Sequence, residues 1–215
     1  MKKLNTIAAI TFGLLSTGLV NQASAASIKL DTRSITTSVN NTDYQSSWFA
    51  QSSAIASNAL SDVNGAVGGN QTFSHLTIDF STLAGNWGFQ IAPDAGFGGA
   101  LYLDGQLIDK KTADLWWGGS WSDPTQILSS TSNVLVAGAH VFEAYWAEAC
   151  CNGSIGGRFS ANNVRGQNQW ESLTTANLNK YAIPSPDAIW LIALGLLTIP
   201  LIKKKESDRL ASVSC

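Results

Sequence analysis

Apolar and polar positions alternate with period two along the middle of the chain. Leu76, Ile78 and Phe80 share one side of the 73–80 run, while His75, Thr77 and Asp79 share the other. That pattern marks a half-buried strand. Trp87, Phe89 and Ile91 repeat it with Gly88 and Gln90 outward, and Leu101 and Leu103 repeat it with Tyr102 and Asp104 opposite. Asp104-Gly105 predicts a tight hairpin turn, with the chain returning through Leu107 and Ile108. Val134–Val136 leads to a long strand over 139–148 that carries aromatics on both faces, so a central place in its sheet is expected. Residues 151–154 read as a turn, and 155–160 as the returning partner. Short apolar-aromatic runs cut by Gly and Asp turns predict an all-β fold, a jelly-roll-like antiparallel β-sandwich.

The flanking stretches are less regular. Ala26 to Val39 alternates loosely, as an edge strand does, with Ile28 and Leu30 on one side. Residues 40–43 form a turn. Trp48, Phe49, Ile55 and Leu60 sit at spacings that allow a short helix or an irregular loop over 44–60, and a helix is the expectation. Residues 62–71 are Gly- and Asn-rich and predict a loop. Residues 162–182 are polar around Trp170 and Leu173 and read as a last short strand or a linker.

Both ends carry targeting features. Lys2 and Lys3, the apolar run Ile7–Val20 and Ala23-Ser24-Ala25 make a secretory signal peptide over 1–25. At the other end, Pro184-Ser185-Pro186 breaks the chain, Ala188–Ile202 is apolar, and Lys203-Lys204-Lys205 closes it. This predicts a C-terminal transmembrane helix of about 22 Å. Its lysines would lie on the cytoplasmic side, so the preceding domain would face the periplasm or exterior. The organisation expected is an exported domain over 26–161, a linker or last strand over 162–183, an anchor over 184–205 and a cytoplasmic tail over 206–215.

Charge narrows the partners. Residues 26–183 hold seven Lys/Arg against twelve Asp/Glu, a formal net charge of −5. An acidic surface argues against nucleic acid, whose phosphates need basic partners. Charged residues make up only 13% of the whole chain, and Gly and Trp are plentiful, as in extracellular β domains. The exported part keeps two cysteines, Cys150 and Cys151, which are adjacent. In an oxidising compartment they pair with each other, pair between molecules, or stay free. Neighbouring Cα atoms lie about 3.8 Å apart, below the usual disulfide range, so a vicinal bond needs a tight turn, which Asn152-Gly153 can supply.

Candidate ligand chemistry lies in the tryptophan-rich loop. Trp116, Trp117 and Trp121 stand among glycines and serines, and indoles stack on apolar sugar faces. Asp114 and Asp123 are placed to accept sugar hydroxyls. Asp94, Asp104 and Asp109 are candidates for lining a cation or sugar pocket, although Asp104 before Gly is ordinary turn chemistry. The chain has two histidines and neither a Gly-x-Ser-x-Gly elbow nor a His-Glu-x-x-His helix, so a non-enzymatic role is expected.

Two resemblances add to this reading. The tail is similar to the PEP-CTERM sorting signal of exported bacterial proteins, with Pro184 and Pro186 at the motif and Ser185 where that family has Glu. It implies processing by an exosortase, a membrane protease. Together with Cys150-Cys151-Asn152-Gly153, it looks like the CCXG group of such proteins. The core resembles the carbohydrate-binding β-sandwich domain shared by anthrax protective antigen, yeast flocculins and some glycosidases. Asp94-Ala95-Gly96, Leu101-Tyr102-Leu103-Asp104-Gly105, Trp116-Trp117, Gly138-Ala139-His140 and Glu143-Ala144-Tyr145 carry that likeness. In lectin members two neighbouring aspartates of the first loop hold calcium. Here Asp94 keeps one place as the candidate metal ligand and Ala95 stands at the other. The resemblance implies sugar binding and adds Tyr145 to the candidate ligand residues. The expected function is non-catalytic binding of an extracellular polysaccharide or glycan. The alternatives are a structural matrix protein cross-linked through its cysteines, and a glycan hydrolase.

Overall fold

A computed structural model describes residues 25–151, 153–162, 164 and 169–183. The leader up to residue 24, the Pro184 and Pro186 motif, the apolar segment and the tail lie outside the described residues. Among the described residues no helix is long and apolar enough to cross a membrane.

The elements in chain order are β1 (Ser27–Ser34), α1 (Tyr44–Ala50), β2 (Ala56–Leu60), β3 (Thr72–Thr82), β4 (Gly85–Ala92) and β5 (Gly99–Leu103), followed by β6 (Gln106–Lys111), β7 (Leu128–Leu135), β8 (Gly138–Glu148), β9 (Gly156–Asn162), β10 (Trp170–Ser172) and α2 (Thr175–Asn179). They form two antiparallel sheets, six strands in the order β2-β1-β3-β8-β5-β6 and four in the order β10-β9-β4-β7. The all-β sandwich expected from the alternation is therefore present.

The core forms where the two inner faces meet. Leu76, Ile78 and Phe80 of β3 and Phe142, Ala144 and Trp146 of β8 face Trp87, Phe89 and Ile91 of β4 and Phe159 of β9. Phe89 and Phe142 stack across the layers with centroids 4.4 Å apart. β8 lies between β3 and β5, so the strand with aromatics on both faces is central as expected. Its pairing with β3 runs from Thr72 opposite Glu148 to Thr82 opposite Gly138 without a break. Asp104 and Gly105 have φ of +50° and +76° and join β5 to β6. Both central residues of such a two-residue turn need positive φ, which explains the Asp-Gly pair.

The outer face of the six-stranded sheet is also covered. α1 lays Tyr44 and Trp48 over Phe73, Ala100, Tyr102, Tyr145 and Ala147. The Asp43 carboxylate caps this helix, accepting from the Ser46 N–H at 3.0 Å and the Ser46 hydroxyl at 2.6 Å. The Tyr44 hydroxyl donates toward the Phe97 carbonyl at 2.6 Å, with the Lys111 carbonyl at 2.9 Å.

Three expectations are corrected. The helix in 44–60 stops at Ala50, and 56–60 is strand β2 pairing with β1. β1 is consequently an inner strand, flanked by β2 and β3, and the edge belongs to β2. The 155–160 run does not return beside β8 but enters the other sheet, where β9 pairs with β4 and β10. The last short strand expected in 162–183 is present as β10, followed by α2, and Leu173, Leu178 and Tyr181 enter the core. The packed domain thus continues past Ala161.

The sandwich has two distinct ends. β8 runs from the end marked by the Asp104-Gly105 turn to the end marked by Glu148. The Ala26 N–H donates to the Asn179 side chain, and Ser27 pairs with Asp79, toward the first end. Tyr181 packs on Trp87 and Phe159, also toward that end. Both ends of the described chain are therefore remote from the Glu148 end.

Candidate functional site

At the Glu148 end, β4 runs out at Ala92 and Pro93 removes a donor from the ladder. The following loop is pinned on two sides. Ala95 and Leu115 exchange backbone hydrogen bonds of 2.7 and 3.1 Å, which ties it to the tryptophan-rich loop. Phe97 N–H donates to the Ala147 carbonyl and Ala147 N–H to the Gly98 carbonyl, which ties it to β8.

Glu148 completes the clamp. Its carboxylate accepts from Gly96 N–H at 3.0 Å and from Cys150 N–H at 2.7 Å, and the residue is 5% exposed. Glu148 shares its register with Phe142, Ala144 and Trp146, at the last inward place on β8. An acid at an inward position of a central strand is the sequence signal that identifies it. It is absent from the candidates read from the sequence.

These loops enclose a cavity of about 330 Å³ lined by Asp94, Gly96, Asp114, Trp116, Glu148, Ala149, Cys150 and Cys151. Trp116 stands 67% exposed at its rim. Burial, with the charge of Asp114 adding, raises the pKa of the Asp94 carboxyl. Cys151 has φ of +73°, and its sulfur lies 3.0 Å from that of Cys150, with both thiols free and exposed. The hydrogen bond to Cys151 and its charge raise the pKa of the Cys150 thiol, with Glu148 and Asp94 adding smaller contributions. A thiol kept protonated is a poor nucleophile. The cavity thus presents carboxylate acceptors, an indole face and a small sulfur pair.

Calcium does not fit this set of donors. It takes six to eight oxygens. Ala95 contributes no side-chain oxygen, and its backbone is committed to Leu115. Each oxygen of Glu148 already accepts a backbone N–H. Among the described residues no group of three or more His, Cys, Asp and Glu side chains is placed to share a metal ion.

The other candidates separate into distinct places. Asp123 is committed to its own turn, accepting from the Thr125 N–H and hydroxyl and from Gln126, and these bonds lower its pKa. Asp109 accepts from the Ser129 N–H at 2.7 Å. Asp104 holds His140 Nδ1 at 2.7 Å and the Val141 N–H at 2.9 Å at the far end of β8. Ten residues of strand, roughly 33 Å, separate His140 from the cysteines, so the two lie at opposite ends of the sandwich. Tyr145 is 1% exposed under α1, stacked on His75 at 4.1 Å, with its hydroxyl donating to Glu143. It cannot touch a ligand in the cavity, because alternation puts it on the other face from Glu148.

Trp117 and Trp121 also leave the cavity and lie on the outer face of the four-stranded sheet. A Cβ at Gly156 would stand 2.9 Å from Trp117 and 3.1 Å from Trp121, so only glycine lets both indoles rest on β9. The two rings are 4.6 Å apart. Arg158 stacks against Trp121 at 4.4 Å and Trp170 at 4.6 Å. Its Nε donates to Gln90 at 2.6 Å, and Gln90 donates in turn to the Ser129 hydroxyl at 2.8 Å.

No family model matches the chain, and neither does any curated protein. Solved structures with a similar arrangement include the PA14 domain of MpAFP antifreeze protein, at 10% identity and TM-score 0.47 over 71% of this chain and 88% of that one. The PA14 sugar-binding domain from an RTX adhesin matches at 9% identity and TM-score 0.47, over 71% and 97%. The epithelial adhesin 9 A domain from Candida glabrata, solved with Galb1-4GlcNAc, matches at 8% identity and TM-score 0.40, over 70% and 90%. At such identities and scores nothing about ligands transfers to this chain.

Proposed function

We propose that this protein is an exported, non-catalytic glycan-binding domain whose site is the cavity at the Glu148 end. The observation that carries the reading is Trp116. A tryptophan left 67% exposed beside a cavity containing Asp94 and Asp114 is an uncovered apolar face next to hydroxyl acceptors. A pyranose ring offers both complements, an apolar face and a rim of hydroxyls. The sequence supports export through residues 1–25, and tethering or exosortase processing through residues 184–205.

The test is a glycan array or matrix pull-down with the full-length chain. Trp116→Ala is expected to weaken binding by about tenfold, the equivalent of roughly 1.4 kcal/mol. Asp114→Asn should weaken it as well. Binding that survives both changes would remove the cavity from consideration. A second reading, a matrix protein joined through its cysteines, is favoured by the exposure of both free thiols. It requires dimers on non-reducing gels that vanish with reductant.

A further inference from the structure

The outer face of the four-stranded sheet carries more organisation than a cover needs. Trp117 and Trp121 lie over Gly156, and Trp170 lies beyond them against Arg158. Arg158 is partly exposed, and among the described residues only its Nε has a hydrogen-bond partner, on Gln90. Gln90 is itself fixed by Ser129. The guanidinium is therefore held by two ring faces and one bond at its inner edge, which leaves the two terminal nitrogens to the solvent. A flat fork of this kind matches a carboxylate through two parallel hydrogen bonds. Indoles beside it supply stacking faces for a sugar ring.

We propose that Trp117, Trp121, Arg158 and Trp170 form a second binding surface, separate from the cavity, for a carboxylate-bearing sugar of an acidic polysaccharide. The choice of occupant rests on charge. Among the described residues Arg158 is the cation of this face, and its open fork puts local positive charge on a domain whose net charge of −5 over 26–183 otherwise opposes an anion. A neutral sugar would leave the fork's donors unused. The inference rests on the glycan-binding reading and adds the class of sugar and a second place for it.

The experiment uses the full-length chain with two probes, de-esterified polygalacturonate and neutral dextran, each followed by affinity electrophoresis and by indole fluorescence. Arg158→Gln is expected to weaken polygalacturonate binding by about tenfold or more and to leave dextran retention unchanged. Arg158→Lys should fall between, because a lysine keeps the charge and loses the fork. Lys29→Gln, which removes a cation paired with Asp31 on the six-stranded sheet, should leave polygalacturonate binding intact. Equal affinity of wild type and Arg158→Gln for polygalacturonate would overturn the proposal, as would a preference for dextran at this face. Cavity binding that persists while the acidic probe is ignored would sink this inference alone, whereas loss of both would sink the glycan reading too. If Arg158→Gln fails to fold, the wild-type readout decides. Polygalacturonate that leaves the indole emission unperturbed overturns the proposal, and a saturable change abolished in Trp121→Phe supports it.

Discussion

Replacing Glu148 by glutamine tests the clamp that shapes the cavity. The carboxylate is 5% exposed and accepts two backbone N–H groups, from Gly96 at 3.0 Å and Cys150 at 2.7 Å. In Glu148→Gln the side-chain amide has one carbonyl oxygen, and its nitrogen would face a second donor. One N–H therefore loses its acceptor, and a hydrogen bond to a charged group is worth about 1.5–3 kcal/mol. The surviving bond turns neutral and loses roughly half its strength. Removing a buried charge returns part of its desolvation cost, so the net loss settles at about 2 kcal/mol. For a domain of this size that lowers the thermal midpoint by roughly 4–8 °C. Urea denaturation should show a lower midpoint with an unchanged slope. Hydrogen exchange should speed up at the Gly96 and Cys150 amides while the β3–β8 ladder stays protected. A variant as stable as wild type, with those two amides exchanging as before, would refute the assignment of Glu148 as the clamp.

Three further outcomes are expected. The hydrogen bond from His75 lowers the pKa of the Glu143 carboxyl, burial opposes this, and the Tyr145 hydroxyl adds to the lowering. Its folded value lies below its unfolded one, so its contribution is full above the ordinary glutamate range and disappears as pH falls through the folded value. Stability of Glu143→Gln measured against pH should therefore be flatter on the acid side than wild type. Asp94 is shifted the opposite way, by burial and then by Asp114, and contributes stability that is present at low pH and lost as pH rises. Asp94→Asn should accordingly denature at higher urea than wild type at pH 7, with the gain vanishing in acid. Tyr44→Phe removes a buried hydroxyl that faces the Phe97 and Lys111 carbonyls, and should cost about 1–2 kcal/mol in chemical denaturation.

The parts of the fold that are legible in the sequence are those where one face is apolar and the other is polar. Leu76, Ile78 and Phe80 against His75, Thr77 and Asp79 declare β3, and Asp104-Gly105 declares its turn through the φ values it must adopt. Strand β2 gives no such signal. Ala56, Ser57, Asn58 and Ala59 are all exposed, and their pairing with β1 is made by the backbone and by the Ser57 hydroxyl, which donates to Asp31. Tyr145 escapes a reading by alternation because a sheet covered on both faces buries both registers, and α1 does the covering. The candidate site is half legible. Asp94, Asp114, Trp116 and the cysteines do line one cavity, because their loops share the end of the sandwich where β4 and β8 finish. Trp117 and Trp121 lie next to Trp116 in sequence and yet on another face. The agents that take them there, Gly156 and Arg158, are some forty residues away and carry no local mark of that role.

The cavity opens at one pole of the sandwich, and the described residues begin and end toward the other. Under the glycan-binding proposal, any support attached through those ends would hold the cavity outward, like a cup on a stalk. Many copies on one support would then all point the same way. A long polymer meeting two of them would bind the second at an effective concentration in about the millimolar range, so weak individual grips would add up to firm retention.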